Sequence, residues 1–205
     1  MNQIFINGED HTAKVNNFTT AVGLDQIAHN RCSQLIITQL YCRSCISEDI
    51  NPFKVLAEIK SLEAGDDNSR MKDATQFKHP PLKGLWHKHH LSEGIRSMAI
   101  NLQHGLRKYG IPHIERLLKE TELSGEDRHL SADDIKTIAD DAVHGNYARR
   151  AEAAELTGDW IVFSRHEGKN YYLCLASHET GDSQIRQQID SICAHEFPFL
   201  KSVLV

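Results

Sequence analysis

Apolar positions recur along this chain with two different periods, and the change of period divides it. Across 23–46, Leu24, Ile27, Ala28, Leu35 and Leu40 repeat at near-helical spacing, which predicts one long buried helix. Asn51-Pro52 then supplies a cap with proline at the first helical position. Phe53, Leu56, Ile59 and Leu62 form the apolar face of the helix that follows, and Gly65 stops it. After Ser92, a plausible N-cap, Ile95, Met98, Ala99, Leu102 and Leu106 fall within an arc of about 100° and are expected to face inward. Gly110-Ile111-Pro112 ends that helix and starts another, with Ile114, Leu117 and Leu118 turned inward. Ser131, Asp133 and Asp134 open a further helix with an inward stripe of Ile135, Ile138, Ala139 and Ala142. It is expected to bend near Gly145-Asn146 and stop by Gly158.

The period then becomes two. Residues 160–165 and 171–177 are rich in β-branched and aromatic side chains, and His166-Glu167-Gly168-Lys169-Asn170 between them is a hairpin signal. A lone hairpin is not stable in water, so a third strand, for which 3–6 is the candidate, or covering helices are expected. A last helix should turn Ile185, Ile189, Ile192 and Cys193 inward, and the apolar tail 196–205 either docks on the core or offers a surface to a protein partner. The fold class expected is α+β, a mainly helical body with a small antiparallel β-hairpin or sheet near the C-terminus. The polar run 65–81, ending in two prolines, reads as a mobile linker or loop. It separates a helical N-terminal part, 1–64, from a basic helical region with the C-terminal hairpin and helix, 82–205; a single domain over 1–205 is the alternative.

Composition changes this picture little. With 205 residues, 40% of them hydrophobic and 25% charged, the chain has the make-up of a soluble protein with a sizeable core. No run approaches the roughly 20 apolar residues that span a bilayer, and the start lacks a basic-then-apolar leader, so a cytoplasmic protein without a membrane partner is expected. Cys32, Cys42, Cys45, Cys174 and Cys193 are an odd set without framework spacing, which fits reduced thiols. Cys42 and Cys45 form one C-x-x-C with no second half, so burial near a helix end is favoured over metal or redox work.

Charge changes it more. Residues 70–119 hold ten Lys or Arg against Asp73, Glu93 and Glu115, a net of +7, while the remainder is net −12 within a total of −5. Such asymmetry steers anionic partners, although a solvated basic face is an equally good reading. His79, His87, His89, His90, His104 and His113, six of the thirteen histidines, lie in the same stretch, where protonation would add to the positive field.

Familiar nucleotide-binding and hydrolase motifs are absent: no G-x4-G-K-S/T, G-x-G-x-x-G, H-E-x-x-H or G-x-S-x-G occurs. What remains is His87-Lys88-His89-His90 in a basic field, with His166 near one end of the hairpin and His178 beyond the other. Metal-independent RNA cleavage needs a base for the 2′-hydroxyl, an acid for the leaving oxygen and a cation for the phosphorane, and two histidines with a Lys or Arg meet that need. The leading expectation is therefore a phosphate-directed enzyme, a ribonuclease of the small toxin or defence kind without a cofactor. Its candidate catalytic residues are His87, Lys88, His90, His166 and His178. Lys83, Arg96, His104, Arg107, Lys108, Arg165 and Lys169 are the candidates for binding the substrate, a nucleic acid and by preference RNA. One alternative is a nucleic-acid- or protein-binding module without catalysis, in which Trp86 and Tyr109 stack on bases, although a core anchor is the commoner fate of such a tryptophan. Another is a metal enzyme using zinc on His87 and His89, which share a face if the segment is extended, with Asp140 and His144 as outlying candidates; a local Asp140–His144 hydrogen bond is the commoner outcome.

Overall fold

Turn and cap residues, rather than the longest apolar run, decide where the N-terminal helices begin. The computed structural model describes residues 3–65, 69–92, 94–125, 128–177 and 179–204. A short hairpin of β1 (Phe5–Ile6) and β2 (Glu9–Asp10) leads into α1 (Thr12–Val22). Gly23, left-handed at φ 73°, ends α1, and α2 (Leu24–Ile27) is one turn long. Ser33 then caps α3 (Gln34–Cys45) by accepting from the Ile36 amide at 3.1 Å. The single helix expected over 23–46 is thus broken, because residues 31–33 run extended beside a strand. Asn51 and Pro52 start α4 (Pro52–Ala64) as the sequence indicates, and Gly65 ends it.

Within 65–81, Asp66, Asp67 and Asn68 lie outside the described residues. The remainder is structured: Met71 is buried, and β3 (Thr75–Gln76) pairs with β4 (Trp86–His90). The histidine-rich segment is therefore an interior strand, and it provides the third strand of the hairpin sheet. The 3–6 candidate pairs with β2 instead, in a separate two-stranded unit.

Helix α5 (Ile95–Tyr109) starts at Gly94 rather than Ser92 and ends at Gly110. It packs by Ser97, Asn101 and Gly105, while Ile95 is 88% exposed and Met98 and Leu106 also face solvent. The packed face is thus rotated from the expected inward arc, of which Leu102 is half-buried. The cause is close approach to a later helix, since a Cβ on Gly105 would meet the Asn146 Cβ at 2.8 Å. Helices α6 (Pro112–Ser124) and α7 (Ala132–Asp140) bury no residue fully. Ser131 and Asp134 form a reciprocal capping box at the start of α7. At 141–145 the chain makes a π-helical turn, where a bend was expected, before α8 (Asn146–Glu152).

Strands β5 (Asp159–His166) and β6 (Lys169–Ala176) form the expected hairpin, with Glu167 at φ 49° and Gly168 at φ 74°. Two consecutive positive φ values make the tight turn whose twist matches the strands. Helix α9 (Asp182–Gln188), a π-helical turn at 189–193, α10 (Ala194–Glu196) and α11 (Leu200–Val203) complete the chain. The tail docks: Phe197, Leu200 and Leu204 are buried, and Arg186 donates to the carbonyls of Pro81 and Leu204 at 3.0 Å each.

The sheet runs β3-β4-β5-β6, antiparallel throughout. One face, through Ile161, Phe163, Tyr172 and Leu175, shares a core with Val15, Leu40, Leu56 and Ile59 of the N-terminal helices. The other, through Val162, Leu173 and Cys174, packs on Ile185, Ile189, Leu200 and the 82–85 loop. The fold is α+β, with helices on both faces of a small sheet and α5–α8 inserted between β4 and β5.

Candidate functional site

Alternation along β4 separates the four adjacent residues His87 to His90. Lys88 turns to α4, where its ammonium lies 3.6 Å from the Glu58 carboxylate and donates to the Met71 and Lys72 carbonyls at 3.4 and 2.9 Å. His90 is fully buried, and neither ring nitrogen has a well-formed hydrogen-bond partner among the described residues. Burial pulls its pKa down to about 4, against a weaker opposing pull from Asp159. His87 and His89 share the other face, their ring centroids 5.6 Å apart. His87 sits between the rings of Phe77 and Trp160, at 4.7 and 5.0 Å.

His89 is held differently. Its Nδ1 lies 2.8 Å from the Gly158 carbonyl oxygen and 3.3 Å from both the Gly158 amide nitrogen and the Thr157 hydroxyl, which together fix the ring in place. The contact depends on Gly158 passing against β4, where a Cβ would lie 2.0 Å from the His90 carbonyl oxygen. Asn101, fully buried on α5, fixes the residue before it. Its amide donates to the Thr157 carbonyl at 2.7 Å and accepts from the Thr157 amide at 3.0 Å. Arg150 adds a donor to the same Asn101 oxygen at 3.4 Å and another to the Glu155 carbonyl.

Three residues after Asn101 on α5 stands His104, and it lines the same cleft as His89, a space of about 810 Å³. Lys72 and Arg96 line it too, with Arg43, Asp159, Ser177 and Thr180. Arg43 is held against Asp159 and Asp49 at 3.1 and 3.0 Å, and Arg96 meets Glu179 at 2.6 Å between two exposed side chains. Among the described residues Lys72 has no carboxylate partner. The His104 pKa is lowered, first by partial burial and then by the charges of Arg150, Lys72 and Arg107. Asp49, Asp159 and Glu179 line the same cleft and balance Arg43 and Arg96, which leaves Lys72 as the cation there without a carboxylate partner among the described residues.

Of the residues singled out from sequence, the cleft thus gathers Arg96 and His104, with Arg107 contributing charge. It also takes in His89, which the sequence suggested only as a metal ligand. Lys88 and His90 point to the opposite side of the sheet. His166 stacks on Phe199 with ring centroids 4.1 Å apart, and Arg165 lies over Trp86 at 4.1 Å, both at the hairpin tip with Lys169. Trp86 is accordingly an anchor on the first core. Lys108 is paired with Glu155, and Lys83 is exposed in the loop before β4. His178 lies outside the described residues. Asp140 and His144 hydrogen-bond to each other at 2.7 Å on the surface, and no group of three or more metal-ligating side chains gathers among the described residues. Cys42 is half-buried near the end of α3 with its thiol pKa raised by burial, and Cys45 is exposed.

Sequence reasoning missed Lys72, Asn101, Thr157 and Gly158. A signal for Asn101 was present, since Ser97, Asn101 and Gly105 recur every fourth residue as a small polar stripe inside an apolar-looking helix.

These features define an α+β protein with a cleft between its sheet and an inserted group of helices, lined by Arg43, Lys72 and Arg96 and by Asp49, Asp159 and Glu179. Compared with protein-family models, curated proteins and solved structures, the chain finds no match. No helix among the described residues is long and apolar enough to cross a membrane.

Proposed function

We propose that the cleft cleaves RNA without a metal, as a small toxin or defence ribonuclease would. One observation carries this reading: His89 from the sheet and His104 from the inserted helices line a single cleft with Lys72 and Arg96. His104, its pKa lowered by partial burial and then by neighbouring cations, suits the general base that takes the 2′-hydroxyl proton. The 2′-oxygen then attacks phosphorus while the bond to the 5′-oxygen breaks. His89 is assigned as the acid that gives that oxygen a proton, its ring held through Nδ1 beside the Gly158 carbonyl. Lys72 and Arg96 hold the phosphate, whose charge grows in the transition state. The products are a 2′,3′-cyclic phosphate and a 5′-hydroxyl.

Purified protein with cellular RNA and single-stranded DNA in excess EDTA tests this. RNA cut to cyclic-phosphate ends, DNA left intact, and cutting lowered by about 10²–10⁴ in His104→Ala are the expected results. Intact RNA, or cutting that survives His104→Ala, refutes the reading, and cutting abolished by EDTA moves it to a metal mechanism. A binding module without catalysis is the second reading, favoured by exposed Ile95 and Met98 on α5. It requires RNA or protein binding that is insensitive to His104→Ala and no cleavage.

A further inference from the structure

A second cleft, of about 680 Å³, shares Ser92, Gly94 and Ser97 with the first, so the two meet at the N-terminal turn of α5. Its character is different. Met98 and Leu102 of α5 form one wall, and Val143, Tyr147, Ala148 and Ala151 form the other. Lys54, Arg70, Ser92, Ser97 and His144 also line it. An apolar slot with an aromatic ring, lined also by Arg70 and adjoining a cleft that holds Lys72 and Arg96, matches the alternation of base and phosphate along a single strand.

We infer that this second cleft receives the nucleobase of a single-stranded RNA next to the phosphate held in the first. Tyr147 and Met98 contact the face of the base, and Arg70 draws in the following phosphate. Small side chains at Ala148 and Ala151 leave room for a flat ring, and Ser92, Ser97 and His144 add polar groups to the otherwise apolar lining. The inference rests on the first cleft being a phosphate site and extends it to a substrate class, single-stranded rather than duplex RNA, whose bases are free to leave the stack.

The test uses wild-type protein and a 2′-O-methyl oligoribonucleotide, which cannot be cut, beside the same backbone with abasic positions, both read by fluorescence anisotropy. The oligomer with bases is expected to bind roughly tenfold more tightly than the abasic one. Tyr147→Ala should erase that difference without weakening the abasic oligomer, and Tyr147→Phe should restore it. Equal binding of the two oligomers, no binding of the one with bases, or equal weakening of both by Tyr147→Ala overturns the inference. So does a dimer that Met98→Glu converts to monomer in sedimentation without changing oligomer affinity, since the apolar wall would then belong to a second copy of the chain. Cleavage with no preference for bases would sink this subsite alone, whereas base-dependent binding without cleavage would sink the ribonuclease reading alone.

Discussion

At His90 the chain places an imidazole where neither ring nitrogen is well satisfied, and the consequence is a pH dependence of stability. The folded ring protonates only near pH 4, while in the unfolded chain it does so near its ordinary 6.5. Between those values the unfolded state binds more protons, so stability is greatest above 6.5 and falls as pH drops toward 4. The loss from this group is on the order of a few kcal/mol. His104 shifts in the same direction, so the comparison that isolates His90 is between wild type and His90→Leu. Urea unfolding midpoints of the wild type are expected to fall across pH 6.5 to 4, and those of His90→Leu to fall much less. Equal slopes would show that His90 carries its proton inside the fold. Lys88 acts structurally from the same side of the strand: its hold on the Met71 and Lys72 carbonyls fixes the backbone from which Lys72 reaches the cleft.

Elements were legible where turn chemistry names them. Gly168 with alternating apolar residues announced β5 and β6, Asn51-Pro52 announced α4, and Ser131 with Asp134 announced α7. Strand β4 was not legible, because Trp-His-Lys-His-His has no β-branched residue and both faces carry polar groups, so its period of two has no apolar contrast. Helix α5 misled for the opposite reason. Its apolar arc is strong, yet the packing is decided by Ser97, Asn101 and Gly105, whose small or hydrogen-bonding side chains let the backbone of α8 come close. The candidate site inherits both failures, since His89 lies on β4 and His104 on α5. Asn101→Leu tests the connection between them. It strands the buried Thr157 amide and carbonyl, at about 1–3 kcal/mol for each group left unpaired. Chemical denaturation should report that loss, and kcat on RNA should fall more than KM rises because His89 loses its support through Gly158.

For the whole molecule, much of the basic charge of 70–119 is locally engaged rather than spread as one face. Lys88 is buried beside Glu58, Lys108 is paired with Glu155, and Arg116 reaches Glu120. Lys72, Arg96 and Arg107 are the cations of this stretch near the cleft, Lys72 and Arg96 lining it beside Arg43 and Arg107 acting on His104, and the exposed pair of Arg96 with Glu179 is one that a phosphate can displace. Contact of these three with phosphates predicts that log affinity for single-stranded RNA falls with log salt at a slope of about −2. Binding measured from low to moderate salt checks this, and a slope near zero would count against phosphate contacts at the cleft.

The sheet also leaves little edge open. At one side β3 is only two residues long and polar. At the other, Ser33 and Arg31 pair with Tyr172 through their backbones, the Ser33 hydroxyl donates to the Leu173 carbonyl, and Gln39 accepts from the Leu175 amide. The folded molecule therefore offers a poor template for the addition of foreign strands. Tyr-Tyr-Leu-Cys-Leu-Ala in β6, uncharged and without proline, becomes sticky only after the fold opens, so aggregation on heating should follow unfolding rather than precede it.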